Sequence, residues 1–131
     1  MKHFKVFLIC LFSILALETD AKNFPDKVRA FSLNNEETHA AVTFKDKKNV
    51  LHIYDIINGR LEIIHQFEHD ILLKPVFIQN KVALYIDGQS TLFNWKKNKV
   101  LGQHSGYPIS VQHSIKEVLW IGSNQKKFWV E

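Results

Sequence analysis

The chain has 131 residues, of which 46% are hydrophobic and 23% charged, with a formal net charge of +4 and one cysteine. This length allows one small domain. A single cysteine excludes an intrachain disulfide framework and a thiolate metal cluster. So modest a charge does not imply a nucleic-acid partner.

The N-terminus reads Met1-Lys2-His3-Phe4-Lys5, then an apolar run from Val6 to Leu17, then Glu18-Thr19-Asp20-Ala21. A basic start, an apolar centre and small residues at the end describe a secretory signal peptide. Thr19 and Ala21 are the small residues required three and one positions before the cut, which is expected after Ala21. The run is shorter than the about 20 residues a membrane span takes, so no membrane span is expected. It also lacks the polar face of a soluble buried helix. Cys10 is not expected to carry a lipid, because Ile9 precedes it where a small residue is needed. The chain is thus expected to divide into a signal peptide, residues 1–21, and a secreted or periplasmic domain, residues 22–131. Lys2 and Lys5 balance Glu18 and Asp20, so the mature part keeps the +4 charge. Its core must be held by burial alone or by a partner, since Cys10 leaves with the signal. The absence of an Asn-x-Ser/Thr sequon fits a bacterial product.

The mature region reads as short strands separated by turns. Apolar and β-branched clusters run Val28 to Phe31, His39 to Phe44, Val50 to Tyr54, Leu61 to Phe67, Leu72 to Ile78 and Val82 to Ile86. They continue with Thr91 to Trp95, Val100 to Gln103, Ile109 to His113, Val118 to Ile121 and Lys127 to Val130. Asn58-Gly59 and Asp87-Gly88 supply the positive backbone φ that tight hairpins require. Such spacing argues for an all-β, antiparallel fold, a sandwich or a propeller. Arg60 to Leu73 competes as a helix, with Leu61, Ile64, Phe67 and Ile71 at helix-like spacing. Asn58-Gly59 before it favours a strand.

Three segments repeat. The first runs from Val28-Arg29-Ala30-Phe31 through Val50-Leu51-His52-Ile53-Tyr54-Asp55 to Glu68-His69. The second runs from Pro75-Val76-Phe77-Ile78 through Thr91-Leu92-Phe93-Asn94-Trp95 to Gln103-His104. The third runs from Ile109-Ser110-Val111 through Val118-Leu119-Trp120-Ile121 to Phe128-Trp129-Val130-Glu131. An aromatic closes the third strand of each, at Tyr54, Trp95 and Trp129. Over residues 28 to 131 this resembles the WD40 family of β-propellers, in a degenerate form. Tyr54-Asp55 stands where those repeats carry Trp-Asp, and Glu68-His69 and Gln103-His104 where they carry Gly-His. The resemblance implies a buried hydrogen-bond network of a His, a turn Asp, a Ser or Thr and the Trp, of which the strand Val82 to Ile86 offers no Ser or Thr. His69, Asp87 and Trp95 match it in the second repeat and His104 and Trp129 in the third, while the first has only Asp46 and Tyr54. Related propellers without the network, such as the quinoprotein-like ones, stay open.

A blade needs four strands, so eleven make an incomplete propeller of about 2.75 blades, whereas closed propellers have at least about four. An open arc leaves apolar faces and strand edges for another chain. Copies could assemble as a homo-oligomer, a different chain could complete the ring, or the sequence could be a fragment of a longer propeller.

No chemistry-bearing motif is convincing. His65-Gln66-Phe67-Glu68-His69 matches the His-x-x-Glu-His pattern of inverted zinc proteases, which needs both histidines on one helical face. On a strand they would stand roughly 13 Å apart and could not share an ion. His39, His52 and His113 show no ligand spacing. No catalytic residue, metal site or cofactor is therefore expected. If the fold is a propeller, Lys45, Lys47, Lys48, Lys126 and Lys127 share a face with His69 and His104, and Lys96, Lys97 and Lys99 lie opposite. A basic rim of Lys47, Lys48, Lys126 and Lys127 would attract an anionic ligand or an acidic partner. Trp95, Trp120 and Trp129 are expected to pack between blades. The reading that follows is an exported, non-enzymatic module that binds a protein or further blades. Its alternative is a subunit or fragment of a ligand-binding or enzymatic propeller, quinoprotein-like or glycan-binding.

Overall fold

The computed structural model describes residues 27–122 and the backbone of 127–128. The expected signal peptide, Lys126, Trp129 and the side chain of Lys127 lie outside the described residues.

The described residues form strands and turns with no helix. In chain order the strands are β1 (Val28–Leu33), β2 (His39–Phe44), β3 (Val50–Asp55), β4 (Arg60–Gln66), β5 (Val76–Ile78), β6 (Lys81–Ile86), β7 (Gln89–Asn94), β8 (Lys99–Ser105), β9 (Tyr107–Gln112), β10 (Glu117–Ile121) and β11 (Lys127–Phe128). Every cluster expected as a strand overlaps one of these. Arg60 to Leu73, the stretch with helical spacing, is strand β4 followed by coil. Its alternation of half-buried and exposed residues has a period of two, and the hairpin before it fixes the register. The strands pair as antiparallel neighbours in three sheets: β1-β2-β3-β4, β5-β6-β7-β8, and β9-β10-β11.

Turn chemistry sets the connections. Asp87 and Gly88 sit at φ 54° and 83°, the left-handed pair that closes a two-residue hairpin between Ile86 and Gln89. Asn98 and Lys116 take positive φ in the longer hairpins.

Burial follows the strand period. In the first sheet Ala41, Leu51 and Ile53 point one way and join Phe77, Val82, Leu84, Ile86, Phe93 and Trp95 of the second sheet in one core. Ile78, Ala83 and Leu92, on the second sheet's other face, meet Val118 and Trp120 of the third. Ala40, Val42, Phe44, Tyr54 and Ile56, on the first sheet's other face, form a third cluster with Val28, Phe31, Leu33 and Leu61. Burial of each large side chain contributes about 1.5–3 kcal/mol. The sheets therefore stack face against face, and their first strands converge. Ser32 donates to Pro75 O at 2.7 Å, Arg29 donates to Ile71 O and Leu72 O at 2.6 and 2.8 Å, and Tyr107 donates to Lys74 O at 2.8 Å.

Pairing registers align the second sheet with the first at an offset of 42 residues between β2 and β6 and 39 between β3 and β7. Tyr54 lies opposite Ala40 and Phe93 opposite Val82. A bulge falls between Ile53 and Tyr54 and again between Leu92 and Phe93. Asp55 Oδ1 accepts from Asn58 N, and Asn94 Oδ1 accepts from Lys97 N, three residues on in both turns. Phe128 lies opposite Val118 in the third sheet. The repeated aromatic is therefore Tyr54, Phe93 and Phe128. Trp95, aligned with Tyr54 from sequence, falls one residue beyond β7 and occupies the place of Ile56. The turn between β2 and β3 is three residues longer than the Asp87-Gly88 turn, so the offset between the two sheets shortens from 42 to 39 residues, which constant sequence spacing does not reveal.

Candidate functional site

Lys45, Lys47 and Lys48 are exposed in the turn between β2 and β3. The connection from β4 to β5 lies against this turn: Phe67 N donates to Asn49 O at 2.8 Å, Asn49 Nδ2 to Phe67 O at 2.9 Å, and Ile71 N to Lys48 O at 2.8 Å. His69, exposed in that connection, thus belongs to the same end of the sheets as Lys47 and Lys48. Lys96, Lys97 and Lys99 are exposed at the opposite end, beyond the other terminus of β7.

The network implied by the resemblance does not form from His69, Asp87 and Trp95. Asp87 precedes β7 and Trp95 follows it, so the strand separates them. His69 and Asp87 are exposed, and Trp95 Nε1 donates to Gln79 O at 3.4 Å. Trp95 is nonetheless core, 5% exposed, packed edge-on to Phe77 and against His39 of the first sheet. This agrees with the expectation that it packs between blades. His104 is not a counterpart of His69. It lies within β8 opposite Ser90, as His65 lies within β4 opposite Leu51. Each reaches the next sheet: His65 lies against Phe93 at 4.8 Å, and His104 stacks on Trp120 at 3.9 Å. Of the pair in His-x-x-Glu-His, His65 is on a strand and His69 in coil, so the helical zinc-protease arrangement is absent.

The topology does bring together one set of side chains that no spacing in the sequence announces. His39 starts β2, Asp55 ends β3 and Glu62 lies in β4, and His39 and Asp55 are directly opposite. Glu62 is the extra residue of the bulge, since Ile63 pairs with Ile53 and Leu61 with Tyr54. The bulge re-aims its carboxylate toward His39, and His39 Nε2 lies 2.9 Å from Glu62 Oε2. Ligand atoms of the three residues all lie within 4.8 Å of one another. The other ring nitrogen, Nδ1, is 2.8 Å from Thr38 Oγ1. Thr38 Oγ1 in turn accepts from Asn34 Nδ2, while Asn34 Oδ1 accepts from the backbone N–H of Thr38 and His39. Asp55 accepts from Asn58 through both oxygens, at 3.0 and 2.6 Å, and these bonds hold its carboxyl below the usual carboxylate range. A cleft of about 500 Å³ borders the cluster, lined by His39, Glu62, Ile63, Trp95, Lys96 and Asn98 among others.

His52 sits on the first sheet's other face, edge-on to Phe44 and 3.3 Å from Tyr54 Oη. Burial, reinforced by the charge of Lys47, lowers its pKa from 6.5 to about 4. It is a neutral core histidine at physiological pH.

No family model matches the chain, and no curated protein matches it. Solved structures do. Kluyveromyces lactis Hsv2, a yeast β-propeller protein, superposes with a TM-score of 0.53 at 8% identity over 77% of this chain and 35% of that one. A form of Hsv2 with loop 6CD replaced by a Gly-Ser linker gives a TM-score of 0.55 at 8% identity, over 79% of this chain and 38% of that one. The chain therefore spans little more than a third of the length of these structures. At this identity the likeness is one of fold: antiparallel four-stranded sheets stacked in the manner of propeller blades.

Proposed function

We propose that the chain is an exported, non-enzymatic interaction module, an arc of propeller blades completed by contact with a further blade. One observation carries this reading. Ala40, Val42, Phe44, Tyr54 and Ile56 of the first blade correspond, position by position, to Val82, Leu84, Ile86, Phe93 and Trp95 of the second. The equivalence extends to the backbone: Ile56 N donates to Thr38 O as Trp95 N donates to Asn80 O. In the second blade these five side chains are the face that receives the preceding blade. The first blade carries the same apolar face; in the single chain its five side chains are no more than 7% exposed, so a further blade would dock there by replacing their present cover. Stability in repeat architectures comes largely from such neighbour interfaces.

The covering blade belongs to another copy of the chain, to a different chain, or to further repeats of a longer protein. Export rests on the N-terminal pattern of residues 1–21. Light scattering of the purified mature protein, residues 22–131, tests the association. A dimer or larger assembly is expected, and a stable, well-dispersed monomer would argue against self-assembly.

The basic rim adds a second element. Lys45, Lys47 and Lys48 are exposed beside the connection that carries His69, and an anionic ligand or acidic partner would approach there.

A further inference from the structure

We propose that His39, Asp55 and Glu62 bind one divalent transition-metal ion, of the zinc class, at the edge of the cleft between the first two blades. The donor set is one imidazole nitrogen and two carboxylates, which suits a borderline ion that accepts both nitrogen and oxygen. Three donors from three adjacent strands leave the cleft side for water or an exogenous ligand, as in sites with an open position.

Two of the three donors are already held. Thr38 and the buried Asn34 fix the His39 ring from behind, through Nδ1. Metal-binding histidines are typically oriented in this way through the nitrogen that does not face the ion. Asn58 fixes Asp55, leaving further lone pairs on its carboxylate oxygens. Glu62 is the adjustable member, its side chain 38% exposed. Zinc bonds of about 2.0–2.2 Å place donors roughly 3–3.5 Å apart. His39 Nε2 and Glu62 Oε2 are already 2.9 Å apart, so closing the present spread of up to 4.8 Å takes a relative movement of Asp55 and this pair of roughly 1.5 Å.

The second blade supplies an internal comparison. Its residues at these three positions are Lys81, Asn94 and Leu101. It keeps the same bulge, and Asn94 caps the same turn through an amide oxygen. The blade fold thus requires neither the imidazole nor either carboxylate, and the first blade carries all three together. Lys96, on the cleft wall, lies over the Trp95 ring at 5.6 Å, and Arg60 pairs opposite Asp55.

Titration of the mature protein with zinc chloride in a calorimeter tests the site, with magnesium chloride as the comparison. One equivalent of zinc is expected to bind, with at least tenfold preference over magnesium. Asp55→Asn preserves the turn cap, as Asn94 does, and is expected to weaken zinc binding at least tenfold, as is Glu62→Gln. His39→Ala should abolish the stoichiometric event, and Thr38→Val, which removes the group orienting His39, should weaken it about 10–100-fold. His69→Ala should leave it unchanged, and circular dichroism verifies the fold of each variant. Absence of stoichiometric binding, or binding indifferent to Asp55→Asn and Glu62→Gln, would overturn the proposal and leave an ordinary His–carboxylate ion pair. Failure here would leave the blade-docking reading intact, since that reading rests on the other face of the sheet.

Discussion

Tyr54 and Phe93 occupy the same place in successive blades: each follows a bulge, and each faces a fully buried small side chain, Ala40 or Val82. Phe93 lies in the core between the first two blades and Tyr54 on the face that looks the other way.

Phe93→Ala and Trp95→Ala are each expected to destabilise the domain by about 3–5 kcal/mol, as for buried aromatics. Both side chains fill the interface between the first two blades. Lys96→Ala, at the exposed end, should cost only about 0.5–1 kcal/mol, the worth of its contact over the Trp95 ring. Urea denaturation measures all three. A loss below about 1 kcal/mol for Trp95→Ala would place that ring outside the core.

His52 makes stability depend on pH. Its pKa is about 4 when folded against 6.5 in the reference state. Between these values the unfolded chain takes up a proton that the folded chain does not. The contribution is therefore complete above about pH 6.5 and falls as pH drops toward 4, by about 3 kcal/mol in all. Denaturation curves at pH 7 and pH 4.5 should show this loss, and His52→Leu should reduce the slope. An equal slope in the variant would assign the effect to other groups.

Gly88→Ala isolates a backbone effect. A Cβ at this position meets nothing within 4 Å, and φ is +83°. The expected cost is about 1–2 kcal/mol, all of it from the left-handed conformation. An unchanged denaturation midpoint would mean that the Asp87-Gly88 turn relaxes.

Replacing Lys47, Lys48, Lys126 and Lys127 together with Glu is expected to weaken retention on a sulfated polysaccharide column. Retention should fall to lower salt while the melting temperature stays nearly constant, because Lys47 and Lys48 are exposed. Unaltered retention would remove the basic rim as a binding surface.

Much of this fold is legible in the sequence because hydrophobic period and turn chemistry agree. Val50-Leu51-His52-Ile53-Tyr54 and Asp87-Gly88 each point to one local structure, and both occur as expected. The repeat is legible only in outline. Glu62 and Leu101 are equivalent bulge residues and leave the offset between blades unchanged, but the turn after β2 has five residues and the turn after β6 two, which shifts any alignment based on constant spacing. Spacing therefore pairs Trp95 with Tyr54 and His104 with His69, whereas pairing register matches Phe93 to Tyr54 and His104 to His65. The His39, Asp55 and Glu62 cluster is illegible for a related reason. Its members come from three strands and meet only through cross-strand register and a bulge, so no local motif marks them.

The central claim is that Ala40, Val42, Phe44, Tyr54 and Ile56 form a face made to receive another blade. The direct measurement is on a fusion in which a second copy of residues 27–75 precedes Lys27. In that protein the face of Ala41, Leu51 and Ile53 from the added copy can replace the present cover of the face in question, which is already no more than 7% exposed, and pack on it as on the second blade. The account predicts one cooperative unfolding transition at a higher denaturant midpoint than the unfused domain. Two separate transitions, or a midpoint that does not rise, would contradict it.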